Sequence, residues 1–311
     1  PLRRGAWRSA EATNTEARDR AVAEVATALE NWGFYSVVNH GVDEAVAARF
    51  EAAQREFFAL PKEEKRRVKR TADNSRGWFD DELTKQRLDW KECFDFGAQD
   101  GRLDARSEID GFNVWPQRPA NYREACEEMF RECLALSLDL AAVAALALGL
   151  EEDHFDACFT RHTSYLRSNF YPLCPAPADN FGISPHTDAG FLTVLMQDEV
   201  ASLQVWNNGE WRLVPPVDRG YTINVGDQLQ VFSNDRFRAP LHRVLANGER
   251  ERLSAPFFLN TAYDIDVAPV GVTDEQALYS PVNWGAFRKG RFEGDFANRG
   301  VEVQIADYRR T

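Results

Sequence analysis

The second half of the chain contains a run of short strand-like segments separated by turn residues, and this pattern restricts the fold more than any other feature. From Thr163 onward, stretches rich in β-branched and aromatic residues alternate with Gly, Asn and Asp. Many short strands at close spacing favour a sandwich or barrel, and a jelly roll fits this spacing. We therefore expect a mixed α and β protein with a jelly-roll core over residues 163–265.

Turn residues in this half predict which strands pair. Short clusters of Asn, Asp and Gly between apolar runs are typical of hairpins. The predicted pairs are 202–206 with 210–214 around Asn207-Asn208-Gly209, 221–225 with 228–232 around Gly226-Asp227, and 242–246 with 253–260 around Asn247-Gly248.

The first part of the chain, residues 1–150, is predicted to be mainly helical. Val22, Val25, Leu29 and Trp32 recur with the spacing of one helical face. Further predicted elements are a capping box from Thr13 and Glu16, a strand at 34–38, a helix capped by Asp43, a helical turn after Pro61, a loop or lid at 72–89 and a long helix at 122–150. With a C-terminal segment at 266–311, we expect one globular unit over residues 1–311.

Composition argues against several kinds of partner. The 311 residues include 37 Lys and Arg against 49 Asp and Glu, which gives a net charge of −12. Binding to nucleic acids or anionic membranes needs clustered positive charge, so neither partner is expected. The longest apolar run, 134–150, is interrupted by Ser137 and Asp139 and is too short to span a bilayer. Five cysteines without a C-x-x-C pair indicate reduced thiols and a cytoplasmic location.

The sharpest local motif is His186-Thr187-Asp188. On an extended segment, residues two apart point to the same side, so the imidazole and the carboxylate converge. His242 begins a later predicted strand and can supply a second imidazole. Two histidines and one carboxylate on one face of an ion form the facial triad of non-haem iron(II) oxygenases, which leaves coordination positions open. Taken singly, each of these residues is more often a surface or structural residue.

Ordered sequence blocks extend over nearly the whole chain. They are Trp32-Gly33-Phe34-Tyr35, Asn39-His40-Gly41-Val42, Phe57-Phe58-Ala59-Leu60-Pro61, Asn169-Phe170-Tyr171-Pro172, His186-Thr187-Asp188, Leu203-Gln204-Val205 with Trp211, Asn224-Val225-Gly226-Asp227, His242-Arg243-Val244 and Arg252-Leu253-Ser254. With these blocks the chain resembles the isopenicillin N synthase-like branch of the iron(II)/2-oxoglutarate-dependent dioxygenases.

The resemblance implies that the jelly-roll core is a double-stranded β-helix (cupin-like) flanked by N-terminal helices. It also implies an iron site at His186, Asp188 and His242, and a 2-oxoglutarate site. It implies that Arg252 and Ser254 bind the distal carboxylate of 2-oxoglutarate and that Tyr171 supports it. The expected cofactors are Fe(2+), 2-oxoglutarate as co-substrate and O2. The expected activity is oxidation of an unactivated C–H bond by hydroxylation, desaturation or cyclisation. Two alternatives stay open: a four-electron oxidase that resembles isopenicillin N synthase and uses no 2-oxoglutarate, and a catalytically silent metal-binding jelly roll.

Four further residues are candidates for substrate contacts. Arg167 and Asn169 share a strand face with Tyr171, and Phe258 is expected to face the iron pocket. Arg76 precedes Gly77-Trp78-Phe79 in the predicted lid. Two arginines near the cavity mouth favour a small substrate with a carboxylate, such as an amino acid, a peptide or a secondary metabolite. The alternative is that each residue only stabilises the fold, Arg167 through a fixed Asp or Glu.

Overall fold

The computed structural model describes residues 15–71, 73–85, 87–98, 111–296 and 303–310. The helices are α1 (Thr15–Asn31), α2 (Glu44–Phe58), α3 (Lys62–Lys65), α4 (Tyr122–Ala147), α5 (Asp227–Phe232) and α6 (Trp284–Arg291). The strands are β1 (Phe34–Val37), β2 (Gly77–Phe79), β3 (Leu83–Thr84), β4 (Arg87–Leu88), β5 (Glu92–Gly97), β6 (Tyr165–Tyr171), β7 (Phe181–His186), β8 (Leu192–Gln197), β9 (Leu203–Asn207), β10 (Glu210–Leu213), β11 (Tyr221–Val225), β12 (His242–Leu245), β13 (Arg252–Leu259), β14 (Asp266–Val267) and β15 (Val282–Asn283).

Two antiparallel sheets form the jelly-roll core that the sequence predicts. The larger sheet has the order β1-β11-β8-β13-β6-β5-β2, and the smaller has the order β10-β9-β12-β7. The strand pairs β14-β15 and β3-β4 lie outside these sheets. Functional side chains of both sheets therefore face a shared interior, where a ligand can be enclosed.

Helices cover the outer face of the larger sheet. The long helix α4 packs against β8 and β13, and α1 and α2 pack against α4. Aromatic side chains such as Phe57, Phe94 and Tyr122 are fully buried between them. Asp43 caps α2 as predicted, since its carboxylate accepts a hydrogen bond from the Ala45 amide at 2.7 Å. The predicted capping residue Thr13 lies outside the described residues.

The predicted strand pairs are partly wrong. The first hairpin is confirmed, with β9 and β10 joined by Asn208 and Gly209, which both have positive φ. Gly226-Asp227 is not a hairpin turn, because α5 begins there and occupies the predicted strand 228–232. In the third pair both strands exist, but β12 lies in the smaller sheet and β13 in the larger.

The segment 72–89 contains strands β2, β3 and β4, so its prediction as a loop is wrong in part. Strand β5 was not predicted. With β1 and β2, β5 extends the larger sheet beyond the expected core. The five cysteines are free thiols, as expected. No helix in the described part of the chain combines the length and apolarity needed to cross a bilayer.

Candidate metal and co-substrate site

Strand pairing brings the three predicted metal ligands together. His186 ends β7 and lies directly opposite His242, the first residue of β12. Asp188 follows two residues after His186, and one of its oxygens, Oδ1, lies 3.7 Å from the Nε2 atom of each histidine. The candidate ligand atoms all lie within 4.8 Å of one another. This geometry suits three ligands on one face of a single ion.

Hydrogen bonds to the outer atoms of these residues leave the inner atoms available for a metal. The Nδ1 atoms of His186 and His242 lie 2.8 and 3.0 Å from the carbonyl oxygens of Ser184 and Pro240. A protonated Nδ1 that donates to a carbonyl directs the Nε2 lone pair to the ion. Each histidine is therefore held in the tautomer that binds a metal.

The carboxylate of Asp188 is divided in the same way. Its Oδ2 atom accepts hydrogen bonds from the Thr193 hydroxyl and from Asn224 Nδ2, the latter at 2.8 Å. Oδ1 therefore faces the histidines. Thr193 and Asn224 lie opposite each other on β8 and β11. Neither was assigned a role from the sequence, although Asn224 begins one of the blocks that carry the family resemblance.

The pKa values of His186 and Asp188 favour metal binding. Burial, assisted by nearby His242, lowers the pKa of His186 to about 3, so its imidazole is neutral near pH 7. Burial raises the pKa of Asp188, but the histidines and the two hydrogen bonds outweigh burial and lower it overall. A neutral imidazole and an ionised carboxylate are the protonation states that bind a divalent cation.

The start of α5 fixes the turn that carries Asp188. The Asp227 amide donates to the Asp188 carbonyl at 2.8 Å, and the Gln228 amide donates to the Gly190 carbonyl at 3.0 Å. A Cβ atom at Gly226 would lie 2.1 Å from the Gly190 carbonyl oxygen, so a side chain there would clash. The block predicted to be a hairpin turn therefore supports the predicted metal ligand Asp188.

Arg252, Ser254 and Tyr171 meet on the adjoining strands β13 and β6. Arg252 pairs with Tyr171 in the strand register, and the Ser254 and Tyr171 hydroxyl oxygens lie 3.4 Å apart. The Arg252 side chain is only 2 % exposed. Its Nε donates to the Val200 carbonyl at 3.2 Å, and its Nη2 donates to Gln197 Oε1 at 2.8 Å.

The third nitrogen of Arg252, Nη1, is buried and has no hydrogen-bond partner among the described residues. A buried guanidinium is costly unless an anion pairs with it. Arg252 lines the same cavity as the triad and has no carboxylate partner in the described part of the chain. The residues therefore fit a carboxylate that binds between Arg252, Ser254 and Tyr171 and reaches a metal at the triad.

Arg167 lies in the wall of the same cavity, but carboxylates of the fold already bind it. It forms two hydrogen bonds of 2.8 Å to Asp95 and one of 2.6 Å to Glu82. Lys91 Nζ lies 2.5 Å from Glu82 and 3.4 Å from Asp89. We call these five buried residues (Glu82, Asp89, Lys91, Asp95 and Arg167) the side wall.

Of the other three predicted substrate residues, two line the cavity and one does not. Asn169 lines the cavity, and its side-chain oxygen Oδ1 accepts a hydrogen bond from the Cys93 thiol at 3.2 Å. Phe258 lines the cavity and its ring lies 4.7 Å from that of Tyr165. Arg76 is buried but is not a cavity-lining residue, and its guanidinium lies 5.0 Å from the Tyr165 ring centre.

The C-terminal helix α6 contributes cavity residues that the sequence analysis missed. Trp284, Arg288 and Arg291 line the cavity and share one helical face by their spacing. Arg291 Nη2 donates to the Thr187 carbonyl at 3.0 Å, next to the metal ligands. In the sequence, the one signal for these three residues is their spacing along one helical face, and the sequence does not show where that segment lies in the fold.

Comparisons with known proteins agree with this geometry. A family model for the 2OG-Fe(II) oxygenase superfamily matches residues 162–261, and a model for the N-terminal region of a non-haem dioxygenase in morphine synthesis matches residues 8–118. Gibberellin 20 oxidase 2 from Oryza sativa subsp. indica is 36% identical over 278 residues, which are 87% of this chain and 70% of that protein. Jasmonate-induced oxygenase 4 from Arabidopsis thaliana is 34% identical over 273 residues, which are 85% of this chain and 76% of that protein.

Solved structures give the same result. The chain superposes on the crystal structure of JOX2 in complex with 2OG, Fe and JA with a TM-score of 0.83 and 30% identity, covering 96% of this chain and 88% of that one. These likenesses do not favour the 2-oxoglutarate-independent oxidase or the silent jelly roll. The chain therefore belongs to the 2-oxoglutarate- and iron(II)-dependent oxygenases, oxidoreductases that use Fe(2+), 2-oxoglutarate and O2.

Proposed function

We propose that His186, Asp188 and His242 hold the iron, and that Arg252, Ser254 and Tyr171 bind the distal carboxylate of 2-oxoglutarate. The observation that carries this proposal is the set of polar atoms that the fold leaves open. Both Nε2 atoms and Asp188 Oδ1 converge on one point, while their partner atoms are hydrogen-bonded. A buried N–H edge of Arg252 faces the same cavity without a partner among the described residues.

Each residue has a defined part in the reaction. When bound, iron would activate O2, the oxidant that removes hydrogen from a substrate C–H bond, and oxidation of 2-oxoglutarate to succinate and CO2 would supply the other two electrons that O2 takes up. Ser184 and Pro240 fix the orientation of the two imidazoles, and Asn224 and Thr193 fix that of Asp188. Arg252 neutralises the distal carboxylate and sets the position of the co-substrate relative to the metal. Apolar side chains that line the same cavity, including Leu195, Leu203 and Val244, exclude water.

We propose a small molecule as substrate, with a carboxylate and an apolar body. The cavity supports this through the aromatic pair Tyr165 and Phe258 beside the polar groups. The net charge of −12 supports the absence of nucleic-acid and anionic-membrane partners. The five free cysteines support a reducing, cytoplasmic location.

The test is 2-oxoglutarate dependence, measured as succinate release by the purified enzyme loaded with iron(II). Arg252→Ala should raise the KM for 2-oxoglutarate by roughly 30-fold or more, because losing one partner of a buried charge pair costs about 2–5 kcal/mol. Arg250 is exposed two residues away, and Arg250→Ala is the matched control. Unchanged 2-oxoglutarate dependence in Arg252→Ala would contradict the assigned roles.

A further inference from the structure

Among the described residues, five cationic side chains line the cavity; three of them pair with carboxylates of the fold, and a fourth is proposed to bind the co-substrate. They are Lys91, Arg167, Arg252, Arg288 and Arg291. Lys91 pairs with Glu82 at 2.5 Å, Arg167 with Asp95 at 2.8 Å and Arg291 with Asp227 at 3.6 Å. Arg252 has the place proposed for the co-substrate. Arg288 makes neither an ion pair nor a side-chain hydrogen bond with any residue in the described ranges.

Arg288 lies at the part of the cavity that is lined by aromatic residues. It is half-buried on α6, one turn after Trp284, whose indole nitrogen donates to Thr163 Oγ1 at 2.9 Å. Its guanidinium carbon lies 5.7 Å from the centre of the Tyr165 ring, and this ring lies 4.7 Å from Phe258. The hydroxyl of Tyr165 also lacks a hydrogen-bond partner within the part of the chain that the structure describes.

We propose that Arg288 binds a carboxylate of the substrate and that the Tyr165 hydroxyl is a second donor to it. This inference rests on the proposed function, since it assigns the substrate to the same cavity. Arg288 is the cation available for a substrate carboxylate, because the positive charges of Lys91, Arg167 and Arg291 are already balanced by carboxylates of the fold. A guanidinium binds a carboxylate through two parallel hydrogen bonds, so the pairing also orients the substrate. The apolar body of the substrate then lies against Tyr165 and Phe258.

Arg288 would bind the substrate carboxylate at a different place from the one that the sequence suggested. Sequence patterns suggested Arg167 and Arg76, which lie on or near the strands β6 and β2. Arg288 instead places the site on α6. The same helix carries Arg291, which donates a hydrogen bond to the carbonyl of Thr187, the residue between the proposed metal ligands His186 and Asp188. Substrate that binds Arg288 therefore contacts a helix that is directly hydrogen-bonded to the metal-binding turn.

The experiment compares small acids with their primary amides. Phenylacetate, 4-phenylbutanoate and decanoate are each tested beside the matching amide in the iron-loaded enzyme. Succinate release above the substrate-free rate and oxidised product are both measured. We expect the acids to stimulate turnover at concentrations roughly 10- to 100-fold lower than the amides, the range typical of a charge-assisted hydrogen bond.

Variants of Arg288 test whether this residue is the source of the preference. Arg288→Gln should raise the KM of the acids to that of the amides with a smaller change in kcat, and Arg288→Lys should restore part of the preference. Lys289→Gln is the control, because Lys289 is on the same helix with its side chain 52 % exposed. Thermal unfolding of each variant must show that it is folded.

Three results would overturn the proposal. In the first, the amides stimulate the wild-type enzyme as well as the acids do. In the second, no acid in the panel stimulates succinate release. In the third, folded Arg288→Gln keeps the full preference for acids. Substrate-free succinate release distinguishes these results from a failure of the proposed function, because it depends on the triad and Arg252 and not on Arg288.

Discussion

Two charged regions, the iron end (His186, Asp188, His242 and Arg252) and the side wall, use buried charge in opposite ways. At the iron end, His186, Asp188, His242 and Arg252 each hydrogen-bond to the protein through some polar atoms and leave another open toward the cavity. In the side wall, every charged group has an ionic partner within the wall. Both regions are buried and rich in charge, so burial and charge alone do not identify a ligand site. A ligand site is identified by polar atoms that point to the cavity and have no partner among the described residues.

The side wall has an energetic role that follows from its composition. It contains three carboxylates and two cations, so it holds one negative charge in excess if all are ionised. A buried ion pair contributes little to stability compared with an apolar pair of similar volume, but the loss of one member leaves an uncompensated charge. The side wall is therefore expected to be sensitive to single substitutions, whether or not it touches substrate.

The largest effect is expected at the iron end. Asp188→Ala removes one of three metal ligands and the one negative charge among them, so iron content and succinate release should fall to background. The same change also removes Asp188 Oδ2, which accepts hydrogen bonds from Thr193 and Asn224, so thermal unfolding of the metal-free variant must show that it is still folded. The exposed His154 gives the control variant His154→Ala, which should keep iron and activity. Near-normal iron content in Asp188→Ala would show that the ion binds elsewhere.

In the side wall, a single substitution should lower the stability of the protein first, and activity should fall as a consequence. Arg167→Met leaves Glu82 and Asp95 without their shared partner, and breaking such a buried pair costs roughly 3–5 kcal/mol of unfolding free energy. Stability and every activity should fall together, as chemical denaturation and succinate release will show. If Arg167→Met instead weakened substrate binding in a protein of unchanged stability, the side wall would be a ligand site and the contrast with the iron end would disappear.

The iron end could be predicted from sequence because its signals are local. His186-Thr187-Asp188 brings two predicted ligands together by strand periodicity. The roles of Arg252 and Ser254 came from the resemblance to a known family, and strand periodicity agrees with them by placing both side chains on one face. His242 was a candidate because it begins a later predicted strand, and the resemblance to a known family singled it out, since its distance along the chain carries no signal by itself. The jelly-roll core was predictable for the same reason, since short strands and turn residues are local features.

The side wall could not be predicted because its contacts are long-range. Arg167 lies 85 residues from Glu82 and 72 from Asp95 along the chain. Which charges meet depends on the order of strands in the larger sheet, and neither β5 nor its position beside β6 was predicted. The same limit explains the third hairpin, since turn residues do not show that the two strands lie in different sheets. It also explains Arg288, because nothing local places α6 against the cavity.

The smallest predicted effect concerns the excess negative charge of the side wall. Burial, with nearby Glu82 adding and Lys91 opposing, raises the pKa of Asp89 to about 6 from an ordinary value of 3.8. The folded protein therefore prefers protonated Asp89 more strongly than the unfolded chain does. This contribution to stability is fully present below about pH 4 and is lost as the pH rises through about 6. The loss amounts to roughly 2–3 kcal/mol, since one pKa unit corresponds to about 1.4 kcal/mol.

Glu82 acts in a different pH range and helps to isolate Asp89. Burial alone would raise its pKa, but Arg167 and Lys91 outweigh burial and lower the pKa to about 2. Its stabilising contribution is therefore lost below about pH 4.5, as the pH falls toward 2. Between pH 4.5 and 6, the unfolding free energy of Asp89→Asn should decrease less with rising pH than that of the wild type, as measured by chemical denaturation at each pH. A steeper decrease in Asp89→Asn would mean that Lys91 keeps Asp89 ionised, and that the side wall holds its excess charge without taking up a proton.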